Sequence, residues 1–176
     1  MQLYADMLYN GQTNEAARYY KESADNGNST SMSIYAHMLS EGDGVKPNKN
    51  LAFDYFKKAA DKGNSHSMIE CGKMLQNGDG VETNLEESAL FYEKAALKNN
   101  TSALREYANI LYNGNGISVD KQESFEYYKK AAENEDLESI KKYADILYNG
   151  IDGVPKNIDK AIENYKKAIE KGDVES

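Results

Sequence analysis

Apolar residues return along this chain at two nested spacings. At short range they fall at i, i+3, i+4 and i+7: Met32, Tyr35, Ala36 and Leu39, then Met68, Cys71, Gly72 and Leu75. Leu104, Tyr107, Ala108 and Leu111 repeat the pattern, as do Ile140, Tyr143, Ala144 and Leu147. This spacing marks one apolar face of an α-helix. A glycine closes each run, often after asparagine, as in Asn77–Gly78 and Asn113–Gly114. Both residues tolerate the left-handed conformation that ends a helix. A second helix is expected next, with Ala52, Tyr55, Phe56, Ala59 and Ala60 facing inward. It is predicted to stop near Gly27, Gly63 and Gly172, with Asn99 and Glu135 at the other two equivalent positions. Small residues let the helices approach, and tyrosines fill the space between them.

The longer spacing is 36 residues, which separates Leu39, Leu75, Leu111 and Leu147, and also Ala60, Ala96 and Ala132. Five residues are missing between Gly11 and Glu15, and one is gained in Gly150–Ile151–Asp152–Gly153. The chain then divides into units 1–31, 32–67, 68–103, 104–139 and 140–176, which account for all 176 residues. Each unit reads as a helix A followed by a helix B. One such hairpin cannot bury its own faces, whereas stacked hairpins share a continuous core, so the pattern predicts an α-solenoid.

The unit G-x-G-V-x-x-N-x-x-x-A-x-x-Y-x-K-A-A-x-x-G is carried by Gly44–Val45, Asn48, Ala52, Tyr55, Lys58–Ala59–Ala60 and Gly63. Gly80–Val81, Asn84, Ala89 and Lys94–Ala95–Ala96 match it less fully. It resembles the Sel1-like repeat, a relative of the tetratricopeptide repeat. The resemblance implies an all-α fold, a right-handed α/α superhelix (solenoid) of five Sel1-like helix-turn-helix repeats. It also implies an adaptor or scaffold that assembles membrane-associated or signalling complexes. The usual Leu-Gly pair of helix A is replaced by Tyr-Ala at 4–5, 35–36, 107–108 and 143–144, and by Cys71–Gly72. Some exported family members carry a cysteine pair in each repeat; this chain has one cysteine, which argues against a disulfide-pinned exported role.

Charge narrows the function further. Twenty-nine acidic against 21 basic residues leave a net charge of −8, unsuited to nucleic acid. No run approaches the roughly 20 apolar residues of a membrane span, so no direct membrane insertion is expected. The first residues have neither the basic flank nor the apolar run of a signal peptide, and the expected location is cytoplasmic. His37, His66 and Cys71 lack paired ligand spacing, so no metal or cofactor is expected. The Gly-Asp-Gly loops are not followed by the Lys-Ser/Thr of a phosphate-binding loop. Ser118–Lys121 and Ser139–Lys142 fit Ser-x-x-Lys without its companion motifs, so no enzyme is expected. Lysine pairs such as Lys57–Lys58 and Lys129–Lys130 read as a solvated outer face.

A solenoid offers a concave surface to an extended or helical peptide. Helix-A positions beside the core leucines vary between units, as a non-repetitive ligand would require. The candidate contact residues are Asp6, Tyr9, His37, Lys73, Gln76, Arg105, Asn109, Tyr112, Lys141, Asp145 and Tyr148. Tyr112 and Tyr148 offer broad anchors, with packing on the adjacent repeat as their alternative role. Arg105 and Lys141 suit a carboxylate or phosphate. Asn77, Asn113 and Asn149 can bond a peptide backbone or cap their own helix. The expected function is binding of a protein or peptide without catalysis. The alternatives are a regulatory or spacer module of a larger signalling enzyme such as a kinase, or an enzyme in its own right. Both ends coincide with repeat boundaries, which predicts a longer array and end-to-end self-association through uncapped terminal repeats.

Overall fold

The computed structural model describes residues 13–173. Among these residues lie nine α-helices: α1 (Thr13–Asp25), α2 (Ser29–Glu41), α3 (Lys49–Asp61), α4 (Ser65–Asn77), α5 (Leu85–Ala96), α6 (Thr101–Asn113), α7 (Lys121–Glu133), α8 (Leu137–Asn149) and α9 (Ile158–Asp173). The even-numbered helices are the predicted helices A, and the odd-numbered ones are helices B. The predicted features of the first helix A, Asp6 and Tyr9 included, lie outside the described residues.

A small set of backbone contacts, renewed at the four turns from helix A to helix B among the described residues, explains the motif. Helix A ends on a glycine whose N–H bonds back to the helix: Gly42 to Met38, Gly78 to Met74, Gly114 to Ile110 and Gly150 to Ile146. The Asn or Asp opening helix B then donates its own N–H to the carbonyl of the core leucine. Asn48 reaches Leu39 at 2.8 Å, Asn84 reaches Leu75 at 2.9 Å, Asp120 reaches Leu111 at 3.0 Å and Asn157 reaches Leu147 at 2.8 Å. Its side chain meanwhile accepts from the N–H three residues on, capping helix B. Helix A is capped in the same way by Asn28, Asn64, Asn100 and Asp136. Helix A therefore begins three residues ahead of Met32, Met68 and Leu104, within its predicted apolar run's preceding turn. The additional residue of the last unit is absorbed where Ile151 and Val154 exchange backbone bonds of 3.0 and 2.9 Å.

The turn from helix B to the next helix A needs a left-handed residue. Gly27 and Gly63 supply it with φ of +92° and +88°, whereas Asn99 and Glu135 adopt it at +59° and +67°. Gly172 does not end its helix, because α9 continues to Asp173.

The chain divides into two compact units between Phe91 and Tyr92, within α5. In the first, Ala16, Ala36, Ala52 and Ala59 are fully buried beside Phe56, Met38 and Leu39. Tyr35 meets Tyr55 edge to face at 5.0 Å. In the second, Ala103, Ala108, Ala131 and Ala144 are buried with Leu104, Leu111 and Ile140. Tyr107 meets Tyr127 in the same edge-to-face manner at 4.9 Å. The two ring pairs occupy the same register positions of the repeat.

Serine enters the core at defined register positions. Ser88, rather than Ala89, is the register equivalent of Ala52, and its hydroxyl donates to the Gly72 carbonyl at 2.7 Å. Ser124 repeats the bond to Ala108, also at 2.7 Å. Ser31 meets Ser23 at 2.9 Å, but the register equivalent of Ser23 opposite Ser67 is Ala59, and the buried Ser67 hydroxyl has no partner. No helix among the described residues is long and apolar enough to cross a membrane.

Candidate functional site

In the second unit, residues of α6, α7, α8 and the loop after α8 enclose a cleft of about 600 Å³. It is lined by Asn109, Tyr112, Asn113, Tyr128, Lys142, Asp145, Ile146, Asn149, Gly150 and Ile151. Three of the expected contact residues, Asn109, Tyr112 and Asp145, thus share one concavity.

Helix B holds two of them in place. The Tyr128 hydroxyl donates to Asn109 Oδ1 at 2.5 Å, and Tyr165 donates to Asp145 Oδ1 at 2.6 Å in the next repeat. Burial pushes the Tyr128 phenol up to about 12, and the bond to Asp145 does most to push Tyr165 up to about 12. Both phenols are therefore neutral donors at physiological pH. Asn113 and Asn149 spend an amide donor on the carbonyl four residues back, Asn109 at 3.0 Å and Asp145 at 2.9 Å. Their helix-capping role is thus realised. Half-buried Tyr112 carries Lys121 Nζ at 5.5 Å from its ring centroid.

The remaining expected residues lie elsewhere or are engaged. Arg105 bonds Asp136 at 2.7 Å and Glu106 at 3.3 Å, beside a shallower depression lined with Glu135, Glu138 and Lys171. It ties α6 to the cap of α8. Lys141 pairs with Glu138 at 3.1 Å, and exposed Tyr148 lies outside the cleft lining. Lys142 lines the cleft instead of its neighbour Lys141. Sequence reasoning missed Lys142, Tyr128, Ile146 and Ile151. The one-residue gain after Gly150 was the available signal for Ile151.

In the first unit, His37 of α2 and His66 of α4 approach with Nε2 atoms 2.6 Å apart. His66 lies in the first turn of α4 rather than in the inter-repeat turn. The two rings stack with centroids 4.9 Å apart, and Phe56 meets His37 edge-on at 4.9 Å. Burial, reinforced by His66, holds the His37 imidazole below the ordinary histidine value. Lys73 pairs with Glu70 at 2.8 Å, and Gln76 is half-buried on the same helix.

A family model for the Sel1 repeat matches residues 1–28, 29–64, 65–100, 101–136 and 138–173. The chain belongs to the Sel1 repeat family. The first four repeats as matched end at the asparagine or aspartate that caps the following helix A. Among solved structures, a Sel1 repeat protein from Oxalobacter formigenes is similar, with 23% identity and a TM-score of 0.89. That similarity covers 96% of this chain and 71% of the other. A protective antigen of uropathogenic Escherichia coli with an SLR fold is 25% identical, with a TM-score of 0.70. It covers 97% of this chain, which in turn spans 45% of that protein. Helicobacter pylori cysteine rich protein B is 21% identical at a TM-score of 0.56, over 71% of this chain and 90% of its own. These likenesses establish the α-solenoid fold of stacked helix pairs. No curated protein sequence matches the chain.

Proposed function

We propose that this Sel1 repeat chain is an adaptor or scaffold module that binds an extended peptide segment through the helix-A cleft of its second unit. Sel1 repeats as a class mediate protein–protein interaction, and the finer reading rests on the cleft between α6 and α8. Its size suits a few side chains rather than a globular surface. Tyr112 supplies a ring, Ile146 and Ile151 apolar contact, Lys142 a cation and Asp145 an acceptor. Asn109 and Asp145 are already oriented by Tyr128 and Tyr165, which lowers the ordering cost of binding. Peptides selected from a displayed random library supply the test. The selected peptide should lose about tenfold or more in affinity on Tyr112→Ala and on Lys142→Glu, the size of an interface anchor. Helical content and thermal midpoint should be unchanged. Affinity unaltered by both substitutions would defeat the reading.

A second surface supports self-association. Ile162 and Ile169 of α9 are 47% and 62% exposed, whereas Ala60, Ala96 and Ala132, the register equivalents of Ile169, are 4% exposed, and those of Ile162 are buried at Phe53 and Ala89 and half-buried at Phe125. Positions buried or half-buried elsewhere in the array thus present apolar surface here, suited to a second copy of the chain. Sedimentation should reveal a concentration-dependent dimer that Ile162→Lys/Ile169→Lys converts to monomer. A wild-type chain that stays monomeric at high micromolar concentration contradicts this.

A further inference from the structure

We propose that His37, His66 and Glu70 form a zinc-binding site on the first unit. Among the described residues their ligand atoms make a group lying within 4.8 Å of one another. His66 and Glu70 stand four residues apart on α4 and so share one helix face. His37 comes from α2, helix A of the preceding repeat. Nothing in the repeat requires this grouping. The register equivalents of His37 are Lys73, Asn109 and Asp145, and those of His66 are Thr30, Ser102 and Glu138.

The geometry near the rings is that of a ligand pair around a shared proton. A neutral imidazole has one N–H and one acceptor nitrogen. Two Nε2 atoms 2.6 Å apart therefore share a single proton between them. Zinc binds histidine nitrogen at about 2.0–2.1 Å in tetrahedral geometry, which sets two ligand nitrogens about 3.3 Å apart. Replacing the proton by the ion thus asks the two nitrogens to move apart by about 0.7 Å. The exposed His66 ring can supply it, while Phe56 fixes the His37 ring. Lys73 Nζ, 2.8 Å from Glu70 Oε1, orients the carboxylate and leaves its second oxygen unused by that bond. Two imidazoles and one carboxylate suit zinc better than calcium or magnesium, which take oxygen ligands. A cavity of about 210 Å³ lined by His37, Glu70, Lys73 and Asn77 leaves room for a water as fourth ligand. The bound ion would clamp two successive helices A and favour the folded chain.

The test uses the untagged full chain, stripped by chelator and titrated calorimetrically with zinc chloride. Saturable binding of one ion per chain with a dissociation constant in the micromolar range is expected, with a rise in thermal midpoint that EDTA reverses. Cobalt substituted for zinc should give the visible absorption of a four-coordinate site. His66→Gln lies at an exposed position and should keep the metal-free midpoint while weakening zinc by at least about tenfold. Glu70→Gln should weaken it as well. Absence of saturable binding overturns the proposal, as does binding that neither variant alters.

Discussion

Cys71 shows how one residue adapts to a repeat position. It occupies the helix-A site that Tyr35, Tyr107 and Tyr143 fill elsewhere, and it is fully buried. Burial pushes its thiol up to about 12, because the thiolate would lose its hydration. The native protein should therefore react with a disulfide reagent at pH 8 orders of magnitude more slowly than the urea-unfolded chain. Rapid native labelling would refute the buried placement. The sign of the linkage follows from the raised value. The thiol's contribution is fully present below the ordinary thiol value and is lost as pH climbs from there toward 12. Single residues also carry departures from the repeat consensus, as where Glu135 takes the left-handed backbone that Gly63 takes with less strain.

At the scale of the helix pair, the glycine loop acts as a joint between successive repeats. Gly80 has φ of +75°, and a Cβ there would lie 2.5 Å from Lys49 Cβ and 2.7 Å from the Lys49 backbone carbon. Gly44 stands against Thr13 in the same way, at 2.4 Å from its carbonyl oxygen. The second glycine of the G-x-G motif is thus required twice, by dihedral angle and by contact with the start of the preceding helix B. Gly80→Ala should cost about 2–4 kcal/mol, adding left-handed strain to a backbone overlap. Gly172→Ala is the control, since an added Cβ there meets nothing within 4 Å and the residue is helical. It should be neutral or slightly stabilising. Urea unfolding followed by circular dichroism compares the two, and equal midpoints would contradict the joint.

Across the whole chain, the repeat made the helices and their ends legible, because each cap and core contact is set by residues within one or two repeats. Leu39 and Asn48 could be read as a motif before the bond between them was seen. The site was less legible. His37 and His66 are 29 residues apart and come together only when α2 and α4 stand side by side. Arg105 looked available for an anion, but Asp136, 31 residues on, already holds it. Asn113 and Asn149 bond their own helices, a local role that sequence allowed equally. In the sequence Lys142 stands out only as part of Ser139–Lys142 and not as a groove contact, because its register equivalents Ile34, Glu70 and Glu106 share no chemistry with it. Variable positions record where a ligand can be read, but not which neighbour claims each side chain first.

The binding face is tested most directly by amide and side-chain NMR shifts of the chain titrated with its selected peptide. The account predicts that the perturbations centre on Tyr112, Lys142, Asp145, Asn149 and Ile151. Perturbations confined to the outer faces of the helices B would contradict it.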